Sequence, residues 1–146
     1  MTRENTREDD RENSRENDPL AVIHAAYRAF HDRDVPALLA TMDPEIEWVH
    51  PEGLSEYGLG GVKNGHQGVL EFLAKVPTVL GGMRLEPQEF VHSGDRVVVF
   101  GVRAVTALSG RTETLPFIHS WSIRDGRAVR MEDMFDTLVF SRLINS

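Results

Sequence analysis

Cysteine is absent from all 146 residues of this chain. That excludes a disulfide framework, a thiol nucleophile and a zinc–thiolate site. Long apolar runs are missing too. Nothing approaches the roughly 18 residues of a membrane span, so no membrane partner is expected. Positive charge is in short supply: 16 Lys and Arg stand against 23 Asp and Glu, a net charge of −7. Such a balance argues against nucleic acid as a partner. The GxxxxGK[ST] spacing of a phosphate loop does not occur, nor does a flavin or nicotinamide fingerprint. No spacing of His, Asp and Glu suggests a metal, so no cofactor is expected. The N-terminus is highly charged and has no apolar signal core, which makes a cytoplasmic protein the default.

What is present begins with a repeat. Residues 2–17 read TREN, TRED, DREN, SREN, with no apolar position. Such a segment buries too little surface to offset the entropy of ordering it. Residues 1–17 are therefore read as a disordered charged tail and residues 18–146 as one domain. A hydrophobic content of 40% suits a single globular core.

The domain opens with helices. Asp18-Pro19 places an acid at an N-cap and a proline at the first helical position, and Ile23, Ala26, Tyr27 and Phe30 follow at helical spacing. Asp34 caps a short second helix that Asp43-Pro44 breaks. From Glu45 to His50 the pattern alternates, with Ile46, Trp48 and His50 on one face, which predicts a half-buried strand. Six glycines between 53 and 68 predict a loop over a cavity mouth. Gly65–Val76 reads as a third helix, stopped by Pro77. Beyond Met83 the reading is all strand: Arg84–His92, Arg96–Leu108, Arg111–Arg124 and Arg127–Phe135. A last short helix spans Leu138–Leu143. Helices followed by a curved antiparallel sheet make an α+β fold, with the helices packed on one sheet face.

The chemical signal concentrates in FIHSWSIRDGRAVRMEDMFD, residues 117–136. Asp125-Gly126 marks a hairpin turn. Before it, Phe117, His119, Trp121 and Ile123 share one face, so a histidine lies within an apolar stripe. After it come Glu132, Asp133 and Asp136. Glu132 and Asp133 have opposite parity, so one of them faces solvent. Arg103 falls within an apolar strand and, if buried, needs a late acid as partner. Asp136 also suits the N-cap of the last helix. His24, His31, His66 and His92 receive no role.

The stretches FHDRDVPALLATMDPEIEWVHPEG, NGHQGVLEFL and FIHSWSIRDGRAVRMEDMFD resemble the nuclear transport factor 2-like superfamily, the cone-shaped (cystatin-like) α+β fold. Within it the chain looks like the SnoaL-like polyketide cyclases and the ketosteroid isomerases. The resemblance covers residues 19 to about 144. It implies that His50, before the proline of WVHPEG, stands where the isomerases have their base. It implies that His119 stands where they have a buried acid in the oxyanion hole. It makes Asp136 the cyclase acid/base. The isomerase tyrosine position falls on Ala26, with Tyr27 one residue on. Two histidines and an acid are also similar to the scytalone dehydratases. Arg103 and Asp136 supply two parts of the epoxide-hydrolase Asp-Arg-Asp set, but Val105 stands at the third.

The catalytic candidates are thus His50, His119 and Asp136, with Trp48, Tyr27, Arg103, Phe117, Trp121 and Met134 expected around a small apolar or polycyclic substrate. His50 or Asp136 would remove a proton α to a carbonyl, and His119 would steady the enolate. Cyclisation, isomerisation and dehydration all fit such chemistry. A non-catalytic binding or scaffolding protein, or an epoxide-opening enzyme, is the alternative. The strand Arg96–Leu108 is apolar on both faces, so a homodimer through the outer sheet face is expected.

Overall fold

The computed structural model describes residues 18–146, and the expected tail of residues 1–17 lies outside that range. Helix α1 spans Pro19–His31 and opens as its sequence dictates. The Asp18 carboxylate accepts from the Leu20 amide at 3.1 Å. Its buried stripe is Val22, Ile23, Ala26 and Ala29, with Tyr27 and Phe30 half-buried at the edge. Helix α2, Val35–Ala40, is capped in the same way by Asp34, which accepts from Ala37 N. Strand β1 is Met42–His50, followed by a 3-10 turn at Glu52–Tyr57 and a short strand β2 at Gly61–Asn64. The segment expected to be a loop thus holds two short elements, with Gly58 and Gly61 in the left-handed region where the chain reverses.

Helix α3 runs Gly65–Val79, past Pro77 rather than stopping at it. A proline in the final turn removes one N–H bond near an end that is already losing its bonds. Strands β3 (Leu80–Ser93), β4 (Arg96–Ala107), β5 (Thr112–Arg124) and β6 (Arg127–Phe135) follow, then helix α4, Thr137–Ile144. Among the described residues no helix is long and apolar enough to cross a membrane.

The six strands form one sheet in the order β2-β1-β6-β5-β4-β3. Every pairing is antiparallel except β1 with β6, which is parallel. The sheet is therefore mixed, not purely antiparallel. The parallel contact sets Trp48 beside Met131 and Val49 beside Glu132. Between Met42 and Glu47 the register shifts, and Pro44, which cannot donate to a ladder, sits at that irregularity.

One further irregularity decides which side chains face inward. At the turn, Arg124 pairs with Arg127 and Ile123 with Ala128, but Ser122 then pairs with Arg130, leaving Val129 as the extra residue of a bulge. From that point the partners are offset by one. His119 faces Asp133, and Ser120 faces Glu132. Asp133 is 3% exposed, whereas Met134 is 40% exposed.

The core lies between the helices and the concave face of the sheet. Ile23, Ile46, Val69, Val99, Leu115, Phe117 and Met131 are buried in it. Each such side chain contributes roughly 1.5–3 kcal/mol by leaving water. At Gly101 the packing tolerates no side chain, since a methyl group there would lie 2.8 Å from the Phe117 ring and closer still to the Glu86 carbonyl.

Candidate active site

Four buried polar side chains meet where β1, β4, β5 and β6 face the helices: His50, Arg103, His119 and Asp133. Asp133 is their hub. Its Oδ1 accepts from Arg103 Nη2 at 2.5 Å and lies 3.2 Å from His119 Nε2. Its Oδ2 lies 3.5 Å from His50 Nε2. Arg103 is pinned between two rings, with its guanidinium carbon 5.0 Å from the Phe117 centroid and 4.3 Å from that of Phe135. A delocalised cation between aromatic faces, paired with a carboxylate, is the form in which a buried arginine is tolerable.

The hydrogen-bond directions follow from the partners. Arg103 and Trp121 can only donate, and ionised Asp133 can only accept. His119 Nε2 lies 3.2 Å from Asp133 Oδ1 and 3.4 Å from the donor Nη2 of Arg103; assigning its proton to the nearer, charged carboxylate leaves Nδ1 as an acceptor. The Tyr27 hydroxyl is 2.6 Å from that Nδ1 and donates to it. Tyr27 in turn accepts from Trp121 Nε1 at 3.1 Å. A single oriented chain runs from Trp121 through Tyr27 and His119 to Asp133. His119 has no free nitrogen left.

His50 differs. Its Nε2–H faces Asp133, its ring stacks on Phe72 at 4.1 Å, and its Nδ1 has no hydrogen-bond partner among the described residues. The indole N–H of Trp48, two residues earlier on the same face, is likewise buried and unpaired, as is Arg103 Nε. A buried lone pair without a donor costs free energy unless something fills the role.

Protonation follows from burial and charge. Burial pushes the pKa of His50 down to about 3, against the pull of Asp133 in the other direction. Burial also lowers that of His119, again opposed by Asp133. Burial alone would raise Asp133, but His119, Arg103 and His50 around it more than reverse this and hold it below the usual carboxylate range. Tyr27 is pushed up by burial, so its phenol keeps its proton. The resting site is thus a carboxylate paired with a guanidinium and two neutral imidazoles.

These groups open onto a cavity of about 670 Å³, its mouth included, whose walls are mainly apolar. Trp48, Tyr27, Arg103 and Trp121 line it beside His50 and His119, as the sequence suggests. Phe117 is buried behind them, in contact with His119 at 4.4 Å between ring centroids. Two expected members are elsewhere. Met134 points from the outer sheet face. Asp136 is exposed and caps α4, its Oδ1 accepting from Leu138 N at 3.0 Å and Val139 N at 3.2 Å. The acid that joins the histidines is Asp133, and the late partner of Arg103 is the same residue. Plain alternation back from the turn puts Glu132, Met134 and Asp136 on the inward face, and the bulge at Val129 reverses that parity. Among the described residues no group of three or more His, Asp and Glu is arranged to hold a metal ion. The Arg103 charge within the cluster would oppose a cation there.

Comparison with known proteins places these residues in context. Residues 23–131 match the family model described as the SnoaL-like domain. Among solved structures, that of TerC co-crystallised with polyporic acid is 61% identical, over 88% of this chain and 98% of that one, with a TM-score of 0.86. An NTF2-like protein from Burkholderia pseudomallei is 49% identical over 88% of this chain and 98% of its own, also at a TM-score of 0.86. Another NTF2-like protein, from Burkholderia xenovorans, is 27% identical over 87% of this chain and 95% of its own, at 0.75. No curated protein matches.

Proposed function

The chain belongs to the SnoaL-like family of the nuclear transport factor 2-like fold, and from that premise we propose that it is an acid/base enzyme, working without a cofactor on a small, largely apolar carbonyl compound. The observation that carries this reading is the pair of His50 and Asp133 in the lining of the apolar cavity, a neutral imidazole with an unpaired, buried Nδ1 and a carboxylate beside its Nε2. The imidazole is unprotonated, and the nearby carboxylate stabilises the imidazolium that forms, offsetting the low basicity that burial gives the nitrogen. Asp133 thus fills the orienting role and His50 that of base. The Trp48 N–H is an unpaired donor for the oxygen of the resulting enolate. His119, engaged at both nitrogens, holds Asp133 and Tyr27 in place rather than meeting the enolate itself. Cyclisation, isomerisation and dehydration all pass through such an enolate.

The apolar walls suit a polycyclic or aromatic compound, and TerC supplies a first candidate, since it was co-crystallised with polyporic acid. The test is turnover of polyporic acid and of carbonyl compounds of similar size, followed by mass spectrometry. His50→Ala is expected to cut turnover on the order of 10²–10⁴-fold while the variant stays folded. Undiminished turnover in that variant would remove His50 from the mechanism. Tight binding by the unaltered protein with no conversion of any compound would make it a binding protein instead.

A further inference from the structure

We propose that Arg103 is a positioning residue of this reaction: as the cation paired with Asp133, it spares the carboxylate from drawing a proton onto His50, and so keeps that histidine vacant for the substrate's proton. This rests on the reading of His50 as the base and adds the group that holds the base ready. The arginine is placed for the task by its strand. It is a lone charge in the apolar run VVVFGVRAV of β4, and it is buried with the Phe117 and Phe135 rings against its guanidinium. Its Nη2 reaches Oδ1 of Asp133 at 2.5 Å and stands 3.4 Å from Nε2 of His119. Oδ2 of Asp133 is left facing Nε2 of His50 at 3.5 Å.

The charges around His50 give the reason. They come from Asp133 on β6, Arg103 on β4 and Lys63 on β2, with titratable His119 on β5, while α3 presents the Phe72 ring. Tyr27 on α1 stands behind His119 and keeps its proton. Lys63 is half-buried, bound to the Gly60 carbonyl at 3.3 Å, and acts on His50 least of these. Among the described residues Asp133 is the one buried carboxylate and Arg103 the one buried cation. Without that cation the cluster holds an uncompensated charge, which a buried site relieves by binding a proton. An imidazole takes the proton before a carboxyl does, since its ordinary pKa is 6.5 against 3.8. Of the two imidazoles, His119 has its Nδ1 occupied by the Tyr27 hydroxyl, whose oxygen is occupied in turn by Trp121. Nδ1 of His50 has no such partner among the described residues. The proton therefore goes to His50, and a histidine already protonated cannot act as a base.

The test is the protonation state of the histidine rings at neutral pH, read from the NMR shifts of their labelled ring nitrogens. In the unaltered protein His50 and His119 should both be neutral. Arg103→Met removes the charge and keeps an unbranched side chain. It should turn His50, and not His119, into imidazolium, moving the His50 titration midpoint from about 3 to above about 7. Arg103→Lys, which restores the charge, should leave both rings neutral. A side chain that merely filled the space beside Phe117 and Phe135 would move neither proton. Imidazolium at His50 in the unaltered protein, two neutral rings in folded Arg103→Met, a proton on His119 instead, or a lysine variant that behaves like the methionine one would each overturn the proposal. Arg103→Gln repeats the comparison with an uncharged side chain that still donates to Asp133, so misfolding of the methionine variant does not end the test. The spectra need no substrate, so they succeed or fail separately from the turnover test of His50.

Discussion

Asp133 is the residue on which the site depends, and its effect reaches the stability of the whole protein. His50 in the folded protein has its pKa near 3, against 6.5 for the free side chain. Between those values the unfolded chain binds a proton that the folded one does not, so stability falls as the pH drops through that window. His119 is lowered and acts in the same direction. Asp133 is lowered as well, so its contribution is complete above its ordinary value of 3.8 and is lost below it. The melting temperature should therefore hold steady above about pH 7 and drop progressively toward pH 4. The His50 part of that drop is on the order of 3 kcal/mol. His50→Gln, which cannot titrate, should flatten the curve, and an unchanged slope in thermal melts would show that His50 is protonated in the native state. At this scale the sequence disclosed much. Both histidines were visible as polar breaks in apolar stripes, and Arg103 as a charge that demanded an acid. Which acid was not visible, because Glu132 and Asp136 share one parity and Asp133 has the other, and the inward parity depends on a bulge that leaves no mark in a run of Ala128, Val129 and Arg130.

Among the elements, β6 shows the limits of reading strands by alternation. Its ends, Arg127 and Phe135, follow from the turn at Asp125-Gly126, both of whose residues have positive φ as a tight hairpin requires. Its register does not. Helices α1 and α4 were legible because their caps are chemical, an acid side chain accepting from free amides. The first strand and the parallel pairing were less so, since nothing local distinguishes a parallel from an antiparallel neighbour. In β4, Gly101 is the position at which backbone crowding matters most. It lies opposite Phe117 in register, and Phe117 supports both Arg103 and His119. Gly101→Ala should cost roughly 1–3 kcal/mol by forcing apart that ring and the Glu86 backbone carbonyl, which lies closer still. Chemical denaturation would measure it, and a loss below about 0.5 kcal/mol would mean that both the ring and the β3 backbone at Glu86 yield freely.

The outer face of the sheet belongs to the whole molecule. Phe100, Ile118 and Met134 are neighbours in register across β4, β5 and β6, and Phe100 and Met134 are each 40% exposed. Val91 on β3, opposite Val98, extends the apolar surface at 45% exposure. We propose that a second copy covers this face, because such a row is costly to leave in water. Light scattering at micromolar concentration should give the mass of a dimer, and Phe100→Asp should give that of a monomer. A monomer in both cases would refute the assignment.

The parallel pairing of β1 with β6 also has a consequence for the making of the protein. The strand that carries His50 finds its inner neighbour only in residues 127–135, so those residues must leave the ribosome before the sheet can close. Until then Trp48 and Ile46 have no strand beside them on that side. The sheet therefore cannot be completed until β6 is available, and that strand acts as the closing step. Ribosome-bound chains halted at residue 126 should be cut readily by protease, whereas full-length chains released from the ribosome should resist it. Protection of the halted chain would mean that the first half forms a stable unit unaided.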